Sequence, residues 1–289
     1  MDPSTANISV REYIYFLPYP LPPGTPVPYS TGLPERNPLG LPPQQFEPTS
    51  TLVLTTPLRT FVDVRVFKPL SRDDPAALPN HGQPDRLDWA FAGFSTSKCV
   101  VSPEHASREH REDVTHSTWN HWVDSRYPAC SPDIPVDEGD MYPISRGLTL
   151  EHGHAFHPSL RTHKSHEEMW RDVPVISTPA TGLKFCIVLR VEDDAQKLRG
   201  MIVRIGQFCQ GISMNGGACT VERWQWTAEA EEKEANGVPD KNLGWKRTIR
   251  IGNHFLPCAA TFRPELLSVG GRVKYHTADW KVEECWQWA

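Results

Sequence analysis

What most limits the folds open to this chain is a succession of short alternating segments set apart by turn residues, along which one aromatic motif occurs twice. Leu87-Asp88-Trp89-Ala90-Phe91-Ala92-Gly93-Phe94 and Ile205-Gly206-Gln207-Phe208-Cys209-Gln210-Gly211-Ile212 each place a Phe shortly before a glycine that is followed by an apolar residue. A tryptophan pair follows each stretch, Trp119 and Trp122 after the first, Trp224 and Trp226 after the second, and then one more, Trp170 or Trp280. Strand–turn–strand patterns precede both, residues 51–54 with 61–67, and 185–191 with 201–205. A chain of 289 residues is long enough for one large or two ordinary domains, and the repeated order selects two. The expected units are residues 1–177 and 178–289, joined by a linker at 178–182.

The alternation has period two. Ile8, Val10, Ile14 and Phe16 oppose Arg11, Tyr13 and Tyr15, and Val62, Val64 and Val66 oppose Asp63 and Arg65, giving each strand one dry and one wet face. Further strands are expected at 118–124, 148–150, 218–227, 245–251, 254–262, 272–275 and 280–286, and 165–170 reads as a helical turn or a closing strand. Many short strands divided by turn signals specify an antiparallel sandwich or barrel, and closure removes exposed edges. The expected fold is therefore all-β, with two tandem antiparallel β-barrels. Residues 18–48 hold eleven prolines, which remove ladder donors, so this Pro-rich stretch reads as an insertion looped out of a hairpin and dispensable for the core. Residues 102–112 suggest a short solvated helix, 131–139 a loop and the acidic 228–237 an exposed excursion.

Several classes of function are disfavoured. A net charge of -5 with no basic cluster argues against nucleic acid. The N-terminus has neither the charge nor the apolar run of a signal peptide, and no stretch is apolar enough for membrane insertion, so a cytoplasmic chain is expected. The seven cysteines include no Cys-x-x-Cys pair, and no glycine-rich loop is followed by the helix and lysine that a phosphate site requires, so no cofactor is expected. His152, His154, His157, His163 and His166 are closely spaced but lack a completing ligand set, so no metal is expected either. His121, Asp124 and Ser125 form no nucleophile signature. No catalytic residue is assigned.

The remaining candidate site is a barrel interior lined by Trp89, Phe91, Trp119 and Trp122 in the first unit and by Phe208, Trp224 and Trp226 in the second. Two alternatives stand: these rings fill the barrels, or they line a cavity for a small hydrophobic ligand.

Trp89-Ala90-Phe91-Ala92-Gly93, Ser117-Thr118-Trp119-Asn120-His121-Trp122-Val123-Asp124-Ser125, Ile202-Val203-Arg204-Ile205-Gly206-Gln207-Phe208-Cys209-Gln210-Gly211 and Asp279-Trp280-Lys281-Val282-Glu283 resemble, in that order, the fungal Hri family. The resemblance implies calycin/lipocalin-like barrels in tandem, with residues 18–48 and the histidine-rich segment outside its pattern. It also implies a cytoplasmic or nuclear location and protein partners: a casein-kinase-I-type kinase and a subunit of the post-translational translocation machinery. The expected function is a non-enzymatic binding or adaptor protein. The alternative is a cofactor-free, pericyclase-like cyclase or isomerase of secondary metabolism acting in an aromatic-lined cavity.

Overall fold

The computed structural model describes residues 2–69, 77–100, 114–178, 182–228 and 244–289. Eight antiparallel strands close into an up-and-down barrel: β1 (Asn7–Leu17), β2 (Thr49–Thr55), β3 (Thr60–Phe67), β4 (Leu87–Cys99), β5 (Thr115–Asp124), β6 (Val136–Ser145), β7 (Leu148–His157) and β8 (Thr162–Asp172). Strand β8 returns to pair with β1, which leaves no open edge. A second antiparallel sheet of seven strands follows: β9 (Lys184–Asp193), β10 (Leu198–Ile205), β11 (Phe208–Asn215), β12 (Ala218–Trp226), β13 (Trp245–Ile251), β14 (Arg272–Tyr275) and β15 (Ala278–Trp288). Its spatial order is β13-β12-β11-β10-β9-β15-β14, a meander whose end strands do not pair with each other among the described residues. The architecture is thus all-β, with a closed barrel and a second, barrel-like unit.

The repeated order of the sequence maps onto this topology, since β2-β3-β4-β5 and β9-β10-β11-β12 both run as consecutive antiparallel neighbours. The aromatic motif itself differs between the units. Residues 87–94 lie within one strand, whereas 205–212 are cut by a tight turn at Gly206, whose φ of 48° favours glycine. The strand expected at 254–262 is instead a 3-10 helix, Pro257–Phe262, where the proline removes a ladder donor. Residues 136–139, expected as the end of a loop, instead open strand β6. The helix expected at 102–112 lies outside the described residues, as does all but Ala228 of the acidic excursion.

The dry faces of the barrel point outward. Leu52, Leu54, Val62, Val64, Val66, Ala90 and Ala92 form one buried cluster with Cys186, Val188, Met201, Val203, Ile205, Ile212 and Val221 of the second unit. Burying such side chains contributes about 1.5–3 kcal/mol each, so the two units dock through a true core. Polar stitches cross it. Gln210 Nε2 donates to the carbonyls of Leu52 (2.7 Å) and Val62 (2.9 Å), and Arg223 donates to Ser50 Oγ (3.0 Å) and the Val64 carbonyl (2.8 Å). The Glu284 carboxylate accepts from Thr56 (2.8 Å) and Thr60 (2.6 Å). An interface of this kind holds the units as one body.

The proline-rich segment departs from expectation. A bulge between Arg11 and Tyr13 resets the alternation of β1, turning Tyr13, Tyr15 and Leu17 outward to meet Tyr29, with Leu21, Leu33, Leu39 and Leu41 packed around them. The buried Glu167 carboxylate accepts the backbone N–H groups of Tyr29 (2.5 Å) and Ser30 (2.5 Å). The insertion therefore carries part of the core. Deleting residues 21–45 would expose this cluster and leave Glu167 without those donors, with an expected loss of roughly 3 kcal/mol or more. Denaturant unfolding checks this; an unchanged midpoint would return the segment to the status of a passive loop.

Candidate functional site

With the valines of β3 turned toward the second unit, period two forces Phe61, Asp63 and Arg65 into the barrel. The wet face of the sequence is the inside. Arg65 meets Asp63 Oδ2 through Nε (3.0 Å) and Nη2 (2.8 Å) and reaches Glu168 Oε1 through Nη1 (3.4 Å). Arg11, turned inward by the bulge, donates to Glu168 Oε1 (2.6 Å), Glu47 Oε2 (2.6 Å) and Thr49 Oγ1 (3.1 Å). Trp170 Nε1 donates to Glu151 Oε2 (2.9 Å). These groups form an ionic layer across the barrel.

A cavity flanks the layer on either side. The smaller, about 330 Å³, is lined by Asp63, Phe91, Trp119, Glu151 and Trp170. The larger, about 580 Å³, is lined by Arg11, Phe16, Trp89, Glu151, His166 and Glu168. Arg65 and Asp137 border both. Volumes of roughly 300–1,000 Å³ are those of small-ligand pockets. Among the described residues, Asp63 Oδ1 and Glu168 Oε2 are buried without a hydrogen-bond partner. Six other buried atoms, Trp226 Nε1 and Arg250 Nε among them, are also unpartnered; these two are the carboxylate oxygens, on residues that border the cavities.

The electrostatics follow from enclosure. Burial opposes ionisation of Glu168, but Arg11 and Arg65 outweigh it and hold its carboxyl down at about 2. Burial, together with the Glu168 charge, pushes Glu151 up to about 8. Asp63 and Asp137 are also raised by burial, with Arg65 opposing in both. Burial opposes the Arg65 charge, but Asp63 and Glu168 outweigh it and raise Arg65 as well, so the two shifts give opposite accounts of the pair's ionisation. The two hydrogen bonds from Arg65 to Asp63 Oδ2 identify an ionised pair, in which the carboxylate bears more of the desolvation. Burial lowers His166 to about 4, leaving it neutral at pH 7, and His157 Nε2 lies 3.3 Å from its Nδ1.

Glu151 provides a direct test. Its folded pKa lies above its usual value of 4.5, so it weakens the fold progressively as pH rises from the unfolded value through about 8. Glu151 borders both cavities, and solvent screening there reduces the penalty. Glu151→Gln keeps an acceptor for Trp170 and removes the ionisation. The variant should exceed the parent in stability by about 2 kcal/mol at pH 9 and match it near pH 4. Urea unfolding at both pH values measures the difference, and an equal effect at both would show that Glu151 does not titrate as described.

Of the aromatic residues expected to line an interior, Trp89, Phe91 and Trp119 border the two cavities. Trp122 does not. It follows His121 on β5 and so takes the outer face, packing into the inter-unit cluster with the Arg190 guanidinium 4.1 Å from its ring. Phe208 packs against the same cluster. Trp224 and Trp226 pack on the separate core of the second unit, where Phe262 of the 3-10 helix stacks on Trp245 at 4.4 Å. The seven rings therefore occupy three places. In the second unit the 3-10 helix and the buried Arg204, which donates to the Thr261 carbonyl, fill the inside of the sheet.

The structure brings His121 and Asp124 together, with Nδ1 2.9 Å from Oδ2, and Trp89 Nε1 donates to the same carboxylate at 2.9 Å. Ser125 is not part of that pair, because its Oγ accepts the Ala90 N–H (3.0 Å). Of the histidine-rich segment, His154, His157 and His166 all adjoin the larger cavity, and His154 also stacks on Tyr19. Among the described residues no group of three or more His, Cys, Asp or Glu side chains is arranged to hold a metal. The ionic layer was missed because charged residues alternating with valine usually mark solvent. The signal that the barrel's charge is inside, in β3, is legible only once the valine face is known to be covered.

The fold and its enclosed chamber define a class, that of two-unit β proteins whose first unit closes around cavities of ligand size. Within that class the particular family is identified by sequence. The chain belongs to the HRI1 family, whose model, described as Protein HRI1, matches residues 32–284. A solved structure, that of the uncharacterized protein YLR301w from Saccharomyces cerevisiae, is similar in fold, with a TM-score of 0.58 at 17% identity, over 97% of this chain and 98% of that one. None of the curated proteins compared matches the chain.

Proposed function

We propose that this member of the HRI1 family is a non-enzymatic binding protein whose barrel holds a small ligand and whose outer surface engages protein partners. The observation that supports the ligand is the pair of cavities beside buried carboxylate oxygens with no donor. Family resemblance supplies the partners, a casein-kinase-I-type kinase and a subunit of the translocation machinery, encountered in the cytoplasm or nucleus. The fused units suit an adaptor, since a single rigid body presents two surfaces in constant register. Burial raises the Cys186 and Cys258 thiols well above the usual range and Cys219 to about 12, so these three are protonated at neutral pH.

The test is fluorescence of an environment-sensitive apolar probe with the full chain, paired with co-purification of a recombinant casein-kinase-I-type kinase. Probe binding lost in Trp119→Arg, with kinase co-purification retained, is the expected result. No probe binding by the parent would contradict the chamber, and no kinase retention would contradict the adaptor role. One observation favours the second reading, a cofactor-free cyclase or isomerase. A carboxyl with a pKa of about 8 beside aromatic walls is protonated at neutral pH and suited to general-acid work. In that case Glu151→Gln would abolish turnover while sparing binding.

A further inference from the structure

The two cavities differ in what surrounds them. At the mouth of the larger one, Phe46, Val136, Phe156 and Leu160 are all large apolar side chains left exposed, at 53%, 54%, 53% and 45%. Four such residues around one opening are an apolar collar rather than scattered surface hydrophobics. Below them Ile14, Phe16 and Trp89 continue the apolar wall inward. The floor is the ionic layer.

At that floor every guanidinium nitrogen already meets an acceptor, whereas one carboxylate oxygen meets no donor. Arg11 directs Nε and both terminal nitrogens to Glu47, Glu168 and Thr49. Arg65 directs Nε and both terminal nitrogens to Asp63 and Glu168. Both guanidiniums reach the same oxygen of Glu168, Oε1, so Oε2 is left buried with no donor, on a residue only 3% exposed. Around these two cations stand Glu47, Asp63, Asp137 and Glu168, so acids outnumber guanidiniums at the layer even with Glu151 protonated. Arg126, the remaining cation bordering the cavity, lies 3.9 Å from the Trp89 ring and 3.9 Å from Asp88. An anionic group entering here finds its cations already matched. A group bringing N–H donors and positive charge finds an unsatisfied carboxylate oxygen.

We propose that the larger cavity binds an amphipathic organic amine, its ammonium donating to Glu168 Oε2 and its apolar part lying along Phe16 toward the collar of Phe46, Phe156 and Leu160. This rests on the barrel being a ligand chamber. It adds the sign of the head group and the direction of the tail. Glu151, beside the same floor, would regain ionisation when a cation arrives, so that amine binding releases protons near neutral pH.

The experiment is titration calorimetry of the full chain with octylamine, octanol and octanoate, which share a tail and differ in head group. Octylamine should bind about tenfold or more tighter than either of the others. Glu168→Gln should weaken octylamine about tenfold while leaving octanol nearly unchanged, with near-UV circular dichroism reporting its fold. Should that variant fail to fold, Phe156→Arg decides. It sits on an exposed collar position and should weaken octylamine and strengthen octanoate, each by about fivefold. Octanoate or octanol binding as well as octylamine, or octylamine indifferent to whichever of these variants folds, would overturn the amine assignment while leaving the chamber. Failure of all three probes to bind would overturn the chamber and the amine assignment together.

Discussion

Replacing Arg65 with Met is expected to lower stability by about 3–5 kcal/mol at pH 7, because it strands buried carboxylates rather than removing a surface charge. Asp63 loses both of its guanidinium hydrogen bonds, and Glu168 keeps only Arg11. The loss should depend on pH. In the parent, Glu168 is held down at about 2, so its contribution is present above the unfolded value of 4.5 and is lost as pH falls through about 2. In the variant the folded values of Asp63 and Glu168 rise, and protonation relieves the stranded charge. The deficit should therefore be largest above pH 6 and shrink toward pH 3. Urea midpoints across that range measure it. A deficit that does not change with pH would mean that the side chain acts through packing alone.

Gly93→Val is expected to prevent folding or to cost more than about 4 kcal/mol. At the bulge between Ala92 and Gly93, β4 and β5 approach so closely that a Cβ on Gly93 would lie 1.9 Å from the Asn120 carbonyl oxygen and 2.8 Å from the Trp122 nitrogen. Both are backbone atoms in a ladder, so neither can turn aside. Gly211 is less extreme, its Cβ meeting Ile202 Cγ1 at 2.7 Å and the Met201 carbonyl oxygen at 2.8 Å. The ordering, Gly93→Val worse than Gly211→Val, is checked by soluble yield and thermal midpoint. The reverse order would place the critical approach in the second unit.

The fold was legible where period two carries the information. Val62, Val64 and Val66 against Asp63 and Arg65 marked a strand with two unlike faces, and the repeated order marked two units. Sequence alone does not say which face looks inward. In an isolated barrel the valines would line the inside; here a second unit covers them, which inverts β3 and brings Asp63 and Arg65 within. The same limit accounts for the aromatic site. Trp119 and Trp122 are three apart, so on a strand they fall on opposite faces, and only Trp119 lines a cavity. Trp224 and Trp226 share a face, but that face meets the 3-10 helix of the second unit, which proline placed where a strand was expected. Arg11 and Glu168, which complete the ionic layer, gave no signal, because a one-residue bulge in β1 decides where Arg11 points.

If the ionic layer serves binding rather than folding, it can be replaced as a unit without loss of the fold. In Asp63→Leu/Arg65→Met/Glu168→Leu the three charges are replaced together by apolar side chains of similar size, while Arg11 keeps Glu47. Replacing the members of a buried ion network together, with the remaining Arg11–Glu47 pair intact, is often neutral or stabilising, in contrast to removing one member. Urea stability within about 1 kcal/mol of the parent or above it is expected, with retained near-UV circular dichroism and no calorimetric binding of octylamine. A chain that fails to fold would show the layer to be structural, and a folded chain that still binds octylamine as the parent does would place the ligand elsewhere.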